Sequence, residues 1–506
     1  MNDWLKLRQY LHFSPKFCHS DKKFIAAYVS STEVKFHKFY PLIHYTIAQN
    51  SFKRYRLASG KKSSKRRWKK KLREIYYANH LDAQVYAYYS NILNTRLNVV
   101  YQSDINLNES VTAYRRIPIS DNRNKCNIDF ANDVFSHIRD HPNDRIDVVC
   151  LDITKFFDSL DHKILKKSWY RLLDSESSTL PPEHYNIFKS LTRFSFVEIS
   201  DLISEFKEFK VKKFQYLKER KIKSFCRDGD EFRERVVAKG IIKYNNGSTK
   251  GIPQGTPISS TLSNLYMLEF DQYFTSIASQ NKFLYRRYSD DMIIVCDPSY
   301  TQIFIDEMTH FLESKLKLTI NKKKTQLVSF EKKLGVWSST LIENGIKFPG
   351  LPLSYLGFDF DGKKITIRTK SISSYYRKTK RLIGRRARFA SIALEKNKIA
   401  AKGSKPVDDW IYKHGIYKSK SHLGSKRKKI NSRKYWGNYI TYVNTASAIM
   451  QSPAIKHQLR NHWRIINRLI KKQEVKNKLP PTPKRRGKIK PQTASSTPES
   501  SDSESS

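Results

Sequence analysis

A mixed layered fold, α/β or α+β, is what this sequence predicts for residues 76 to 367. Three observations support it. Helical periodicity alternates with short apolar runs of strand length, which favours sheets covered by helices. Aromatic residues make up 13% of the chain, too many for a disordered polymer. The 506 residues suffice for two to four domains and a large buried core.

Taken in order, the first 75 or so residues are aromatic and basic and end in "KKSSKRRWKKKLR". The run Lys61 to Arg73, with Trp68 inside it, reads equally well as a nucleic-acid arm or as a solvated linker. "HLDAQVYAYYSNIL" predicts a helix with Leu81, Val85, Tyr88 or Tyr89, and Ile92 on one stripe, and "FANDVFSHI" predicts another. "IDVVCLDI", "LYRRY", "MIIVCD" and "KKITIR" predict strands. From about residue 370 to 475 helical spacing dominates and basic charge rises, as in "YYRKTKRLIGRRARFASIALEK". "AIKHQLRNHWRIINRLIKK" puts Ile455, Leu459, Trp463, Ile466 and Ile470 at helical spacing. The tail from about Leu479 is rich in Pro, Lys and Ser, then acidic, and is expected to be disordered. No repeat recurs at a fixed period.

The formal net charge is +48. Such an excess destabilises a compact chain by self-repulsion unless a polyanion neutralises it. Nucleic acid is the obvious polyanion, and an anionic membrane surface the rival. No apolar run reaches the roughly 18 residues of a membrane-spanning helix, so no membrane partner is expected. "MNDWLKLRQYLHF" lacks the apolar block of a secretory signal. Five scattered cysteines with no CxxC pair argue against a disulfide framework and a zinc site, and suit a reducing cytoplasm.

The chemistry gathers in two segments. In "IDVVCLDITKFFDSLDH", Asp152 follows an apolar strand at once, so its carboxylate stands at the rim of a sheet. In "LYRRYSDDMIIVCD", two strands flank Ser289-Asp290-Asp291 and lift two more acids to a rim. If these strands are neighbours, three carboxylates converge, and they cannot all stay ionised without a cation. Hard divalent cations take such oxygen ligands and leave room for phosphate. Two of them about 4 Å apart stabilise both the attacking and the leaving oxygen of a phosphoryl displacement. Each segment alone has a plainer reading as a turn or helix cap; their order in the chain is what raises the odds.

With these residues in view, the sequence resembles the reverse transcriptases. That family's palm carries an Asp after a strand, then a Gly-Pro-Gln-Gly turn, then a Tyr-x-Asp-Asp hairpin. Here these match Asp152, "GIPQGTPISSTLSNLYM" from residue 251, and Tyr288 to Asp291. "LKLTINKKKTQLVSF" and "SYLGFDFDGKKITIR" resemble the two motifs that follow. The middle segment has its own physics: Gly251 and Gly255 permit close approach or positive φ, and Thr256 can cap a helix with Pro257 at its first position.

The resemblance implies an α+β right-hand polymerase, with fingers, a palm built on a small antiparallel sheet and a helical thumb. To this are added an N-terminal basic extension (1–75) and the C-terminal tail (479–506). Fingers and palm would span 76–367 and the thumb 368–478. It implies catalysis by Asp152, Asp290 and Asp291 and a metal site formed by these with Ile153, holding two Mg²⁺ or Mn²⁺ in their place. The segment 113–135 resembles the fingers, with Arg115, Arg116 and Lys125 as triphosphate ligands. Gln254 and Gly255 would support the nucleotide. Phe157, with Phe156 beside it, would exclude a ribose 2′-hydroxyl. One of Lys322, Lys323 and Lys324 would protonate the leaving pyrophosphate. Tyr288, Tyr355, Leu356 and Gly357 would hold the primer, and Arg377 and Lys380 would track the template duplex.

The partners implied are an RNA template, expected to be a dedicated non-coding RNA, deoxynucleotides and the DNA product; assembly with further copies of the chain stays open. The antiphage-defence and abortive-infection branch of bacterial reverse transcriptases is the branch resembled. Intron-like reverse transcription, untemplated or protein-primed synthesis, and an inert nucleic-acid-binding scaffold remain as alternatives. No ribonuclease H segment or Cys/His endonuclease cluster is evident. The interval "EFKEFKVKKFQYLKERKIKSF" departs from the family pattern.

Overall fold

Residues after Tyr40 pair into a long antiparallel hairpin, β1 (Leu42–Arg56) with β2 (Lys62–Tyr77), in register from Ile43 opposite Tyr77 out to Arg54 opposite Arg66. This is the stretch read as an arm or a linker. The boundary expected at residue 75 therefore falls inside a strand. In this computed structural model the described residues are 3–56, 62–121, 123–174, 179–207, 224–245, 247–322, 324–395 and 438–479. Most of the basic interval before residue 225, and the tail after residue 479, lie outside them.

The chain divides into two compact units. The first, Met1–Leu356 with Phe360–Lys363, holds the sheets that matter for the site. After β1 and β2 come the short pair β3 (Pro118–Ser120) and β4 (Arg123–Asn124), then β5 (Arg145–Asp152), β6 (Ser195–Glu198) and β7 (Lys243–Tyr244). β8 (Leu284–Tyr288) and β9 (Asp291–Cys296) form a hairpin, and β10 (Gln326–Lys333), β11 (Val336–Glu343) and β12 (Ile346–Pro349) a meander. The central sheet has the order β12-β11-β10-β5-β9-β8, and its pairs are antiparallel. β2-β1-β6-β7 form a second sheet, in which β6 runs parallel to β1. The fold is α+β.

The expected buried strands hold: Val148, Val149, Ile293, Ile294 and Val295 are almost wholly enclosed. The helices Leu268–Gln280 and Thr301–Ser314 contribute Phe270, Phe274, Phe304 and Met308 to the main core. The helix predicted at "HLDAQVYAYYSNIL" spans His80–Gln102; of the predicted stripe Val85 and Tyr89 are buried, together with Tyr86, Leu93, Leu97 and Tyr101. Leu81, Tyr88 and Ile92 are only half-buried. The face is rotated because Asp82 is buried too, its carboxylate taking the His37 imidazole at 2.9 Å and the Tyr40 N–H at 3.0 Å.

The helix expected to start at Thr256 starts at Ser259 instead. The Thr256 hydroxyl lies 2.5 Å from the Ser259 hydroxyl, which donates to the Pro253 carbonyl at 2.6 Å, so these side chains close the turn rather than cap a helix.

β13 (Leu353–Tyr355), β14 (Phe358–Phe360) and β15 (Ile365–Ile367) follow, and the second unit begins among them. In that unit a helix from Thr369 to Glu395 packs Ile383, Ala387 and Ala390 against Ile466 and Ile470. The spacing from Ile455 to Ile470 is split between two helices, Pro453–His457 and His462–Lys476. Among the described residues no helix is long and apolar enough to cross a membrane.

Candidate active site

β5 and β9 are neighbours, and their register puts Asp152 directly opposite Asp291. Facing Cα atoms in an antiparallel pair lie about 4.5–5.5 Å apart. The loop between β8 and β9 is two residues, Ser289 and Asp290, with Ser289 at φ +61°. A positive φ at the first residue of such a loop matches the right-handed twist of the strands. The Ile153 N–H donates to the Asp290 carbonyl at 3.3 Å, which stitches the turn to the end of β5. Three carboxylates from two distant segments therefore share one rim.

Asp152 is 7% exposed. Both its carboxylate oxygens accept from the Lys324 ammonium at 2.6 Å, and Asn321 adds its N–H to the Asp152 carbonyl at 2.7 Å. Of the three lysines considered for protonating a leaving group, Lys324 is thus the one at the carboxylate; Lys323 lies outside the described residues.

What holds the turn in place is a residue the sequence reading passed over. Arg287 is wholly buried. It donates to Asp271 through Nε at 2.7 Å and Nη2 at 2.5 Å, to Asn264 at 3.2 Å and to the Ser289 carbonyl at 3.1 Å. Tyr285 donates to the same Asp271 carboxylate at 2.9 Å. Desolvation works against the Arg287 charge, but the Asp271 carboxylate outweighs it and raises the pKa. The guanidinium thereby clamps the turn that carries Asp290.

The Gly251–Thr256 turn is tied to β2 through the backbone. Tyr76 of β2 donates its N–H to the Gln254 carbonyl at 2.9 Å. A Cβ on Gly255 (φ +123°) would lie 2.5 Å from the Tyr76 carbonyl oxygen, and one on Gly251 (φ +92°) 3.1 Å from that of Asp158. Close approach is what these glycines permit. Gln254 is half-buried, Phe157 likewise, and Phe156 is buried in the core. Further along β2, Lys71 is partly desolvated and crowded by Lys324 and Arg73, which pull its pKa down against the attraction of Asp152 and Asp290. The base of the hairpin thus brings a cation, Lys71, to the acids. The period-2 spacing of cations in β2 was a signal available in the sequence.

The expected triphosphate ligands sit in other company. Arg115 donates to Asn98 at 3.1 Å and to the Asn108 and Val111 carbonyls at 2.8 Å, and its guanidinium lies 4.2 Å from the centroid of Tyr101. Arg116 pairs with Asp3 at 2.5 Å and Lys125 with Asp133 at 2.8 Å. Tyr288 is half-buried, its ring 6.2 Å from Phe130. Tyr355 is buried, its hydroxyl has no hydrogen-bond partner among the described residues, and after desolvation the Cys150 and Asp291 charges raise its pKa. Leu356 accepts from the Asn127 side-chain amide at 3.3 Å. Gly357, Arg377 and Lys380 belong to the second unit. There Arg377 and Lys380 are exposed on the long helix, and Gly357 lines a cavity of about 500 Å³ with Arg368 and Lys378.

Among the described residues no set of three or more His, Cys, Asp or Glu side chains is already gathered around one ion position. The donor chemistry nonetheless suits a hard divalent cation, since Asp152, Asp290 and Asp291 offer only oxygen and a cation, Lys324, already sits on Asp152.

Residues 191–360 match the reverse transcriptase (RNA-dependent DNA polymerase) family. The chain carries a reverse transcriptase domain. The match takes in the Gly251 turn and the Tyr288–Asp291 hairpin but leaves Asp152 outside its bounds; strand register is what brings Asp152 to the domain's acids. Reverse transcriptase domains of this family generally use divalent metal ions.

A search of curated proteins found no match. Solved structures similar to the chain include apo telomerase from Candida tropicalis truncated from its C-terminal domain, at 11% identity and a TM-score of 0.36, over 70% of this chain and 61% of that one. Telomerase from Candida albicans in complex with a TWJ fragment of telomeric RNA is similar at 12% identity and a TM-score of 0.36, over 91% of this chain and 69% of that one. The chain thus spans about three fifths of the length of the first of these.

Proposed function

We propose that the chain is an RNA-directed DNA polymerase. Its acids Asp152, Asp290 and Asp291 hold two Mg²⁺, or Mn²⁺, and join deoxynucleotides to a primer on an RNA template. The observation that carries this reading is the register of β5 and β9, which sets Asp152 against Asp291 beside the Asp290 turn. When bound, the metal pair supplies charge to stabilise the attacking and leaving oxygens. The chain's own residues do the rest. Arg287 fixes the turn so that the carboxylates need not reorganise during reaction. Lys71 offers a charge-assisted bond to a triphosphate. Lys324, an ammonium at the acids, is placed to give a proton to leaving pyrophosphate. Phe157, half-buried five residues past Asp152, would restrict the room for a 2′-hydroxyl.

The resemblance of "HLDAQVYAYYSNIL", "AYRRIP" and "KCNIDFANDVF" to bacterial defence reverse transcriptases supports a role in antiphage defence with a dedicated non-coding RNA as template. Among the described residues no cysteine is in a disulfide, which suits a cytoplasmic setting. The test is incorporation of labelled deoxynucleotides by the full chain on an RNA template with an annealed primer. Incorporation by the wild-type chain, lost with EDTA and in Asp291→Asn, is expected. Incorporation that Asp291→Asn leaves untouched would refute the site.

A further inference from the structure

β2 carries more charge than the proposed reaction needs. Every odd position from 65 to 73 is a cation: Lys65, Arg67, Lys69, Lys71 and Arg73. Alternate positions of a strand share a face. From Arg66 to Tyr77 the pairing with β1 runs without a shift, so the alternation is unbroken over positions 67 to 73. The even positions are mixed: Arg66, Trp68, Lys70 and Leu72, of which Trp68 is 58% exposed. Same-face neighbours along a strand are about 6.6 Å apart. That repeat is close to the separation of successive phosphates in an extended nucleic-acid strand.

The ribbon is also poorly stabilised by itself. Among the described residues β6 supports only Leu42–His44 of β1, and a two-stranded ribbon without a third strand is marginal in water. A polyanion laid along the odd face offsets this. At its near end that face carries Lys71, within electrostatic range of Asp152 and Asp290.

We propose that the odd face of β2 is a track for the backbone of single-stranded RNA, which holds the unpaired template on its way to the catalytic acids. That the strand is a template rests on the polymerase reading; that single-stranded RNA binds this face does not.

The experiment is binding of a labelled oligouridine to the full chain across a salt series, followed by fluorescence anisotropy. Arg67→Gln/Lys69→Gln removes two charges from the odd face. It is expected to weaken binding about tenfold at physiological salt and to make the log–log salt slope shallower by about 1.4, the release expected for two phosphates of a single strand. Arg66→Gln/Lys70→Gln removes the same charge from the opposite face and is expected to change affinity less than about threefold. The swap Arg67→Lys/Lys69→Arg should bind like the wild-type chain, which separates lost charge from lost folding. Equal losses in the two Gln pairs, or unchanged binding in the first, overturn the track. The two readings fail separately: a chain that binds oligouridine on this face but incorporates no deoxynucleotide defeats the polymerase and leaves the track.

Discussion

At position 287 a guanidinium is enclosed by the chain, and its partners would be stranded without it. Replacing Arg287 by Met leaves the buried Asp271 carboxylate without its main partner and frees the Ser289 carbonyl. Breaking one side of a buried pair costs about 3–5 kcal/mol, and chemical denaturation should show a loss of that size. Lys at this position should recover only part, because an ammonium cannot reproduce the planar fork. A midpoint unmoved by Arg287→Met would contradict the clamp. The three aspartates were legible as single residues because adjacent acids at a tight turn have few structural uses. Arg287 was not, since basic residues in "LYRRY" read as solvent-facing in a chain so rich in them. The available signal was alternation: Arg287 shares the inward face with the buried Tyr285, and a face that buries one buries the other.

Among the elements, β2 and the Gly251–Thr256 turn are interdependent. The Tyr76 N–H holds the Gln254 carbonyl, and only a glycine at 255 lets the two backbones meet. Gly255→Ala adds a Cβ against the Tyr76 carbonyl oxygen at a φ that alanine resists. It should part the turn from β2 and raise KM for deoxynucleotide by about tenfold or more, the equivalent of 1.4 kcal/mol. Steady-state kinetics that match the wild-type chain would deny the coupling.

The central strands were legible as apolar runs bounded by polar turns, and the sheet confirms them. The hairpin β1–β2 was not, because its stability comes from cross-strand register, which a local window does not contain. The helix after Thr256 began later than its capping pattern implied, because Ser259 competes for the hydroxyl and the turn satisfies its own polar groups.

Over the whole molecule, charge and burial pull in one direction on acidification. Burial pushes the His12 imidazole down to about 3, and His80 likewise to about 4. His12 Nδ1 accepts from the Phe13 N–H at 2.9 Å, while Nε2 faces the Tyr77 carbonyl at 3.3 Å, so the neutral ring is the one that fits. A base whose pKa falls on folding leaves the unfolded chain binding more protons between its free value near 6.5 and its folded value. Stability is therefore complete above about pH 6.5 and lost as pH falls toward about 4. The net charge of +48 adds self-repulsion that grows in the same window. Thermal melts should show Tm falling steadily from about pH 7 to pH 5, and less so in His12→Gln; a flat profile would contradict this.

At this scale the fold class was legible from periodicity and composition. The site's reach across the chain was legible only through the order of its motifs, because Asp152 and Asp291 are 139 residues apart and meet through strand pairing alone. Asp152 therefore tests the account most directly, since only geometry ties it to the matched domain. The measurement is single-turnover incorporation of deoxynucleotide by Asp152→Asn on a primed RNA template. The account predicts a loss of at least about 10³-fold with the melting profile retained. A rate within about tenfold of the wild-type chain would show that Asp152 is no part of the catalytic set.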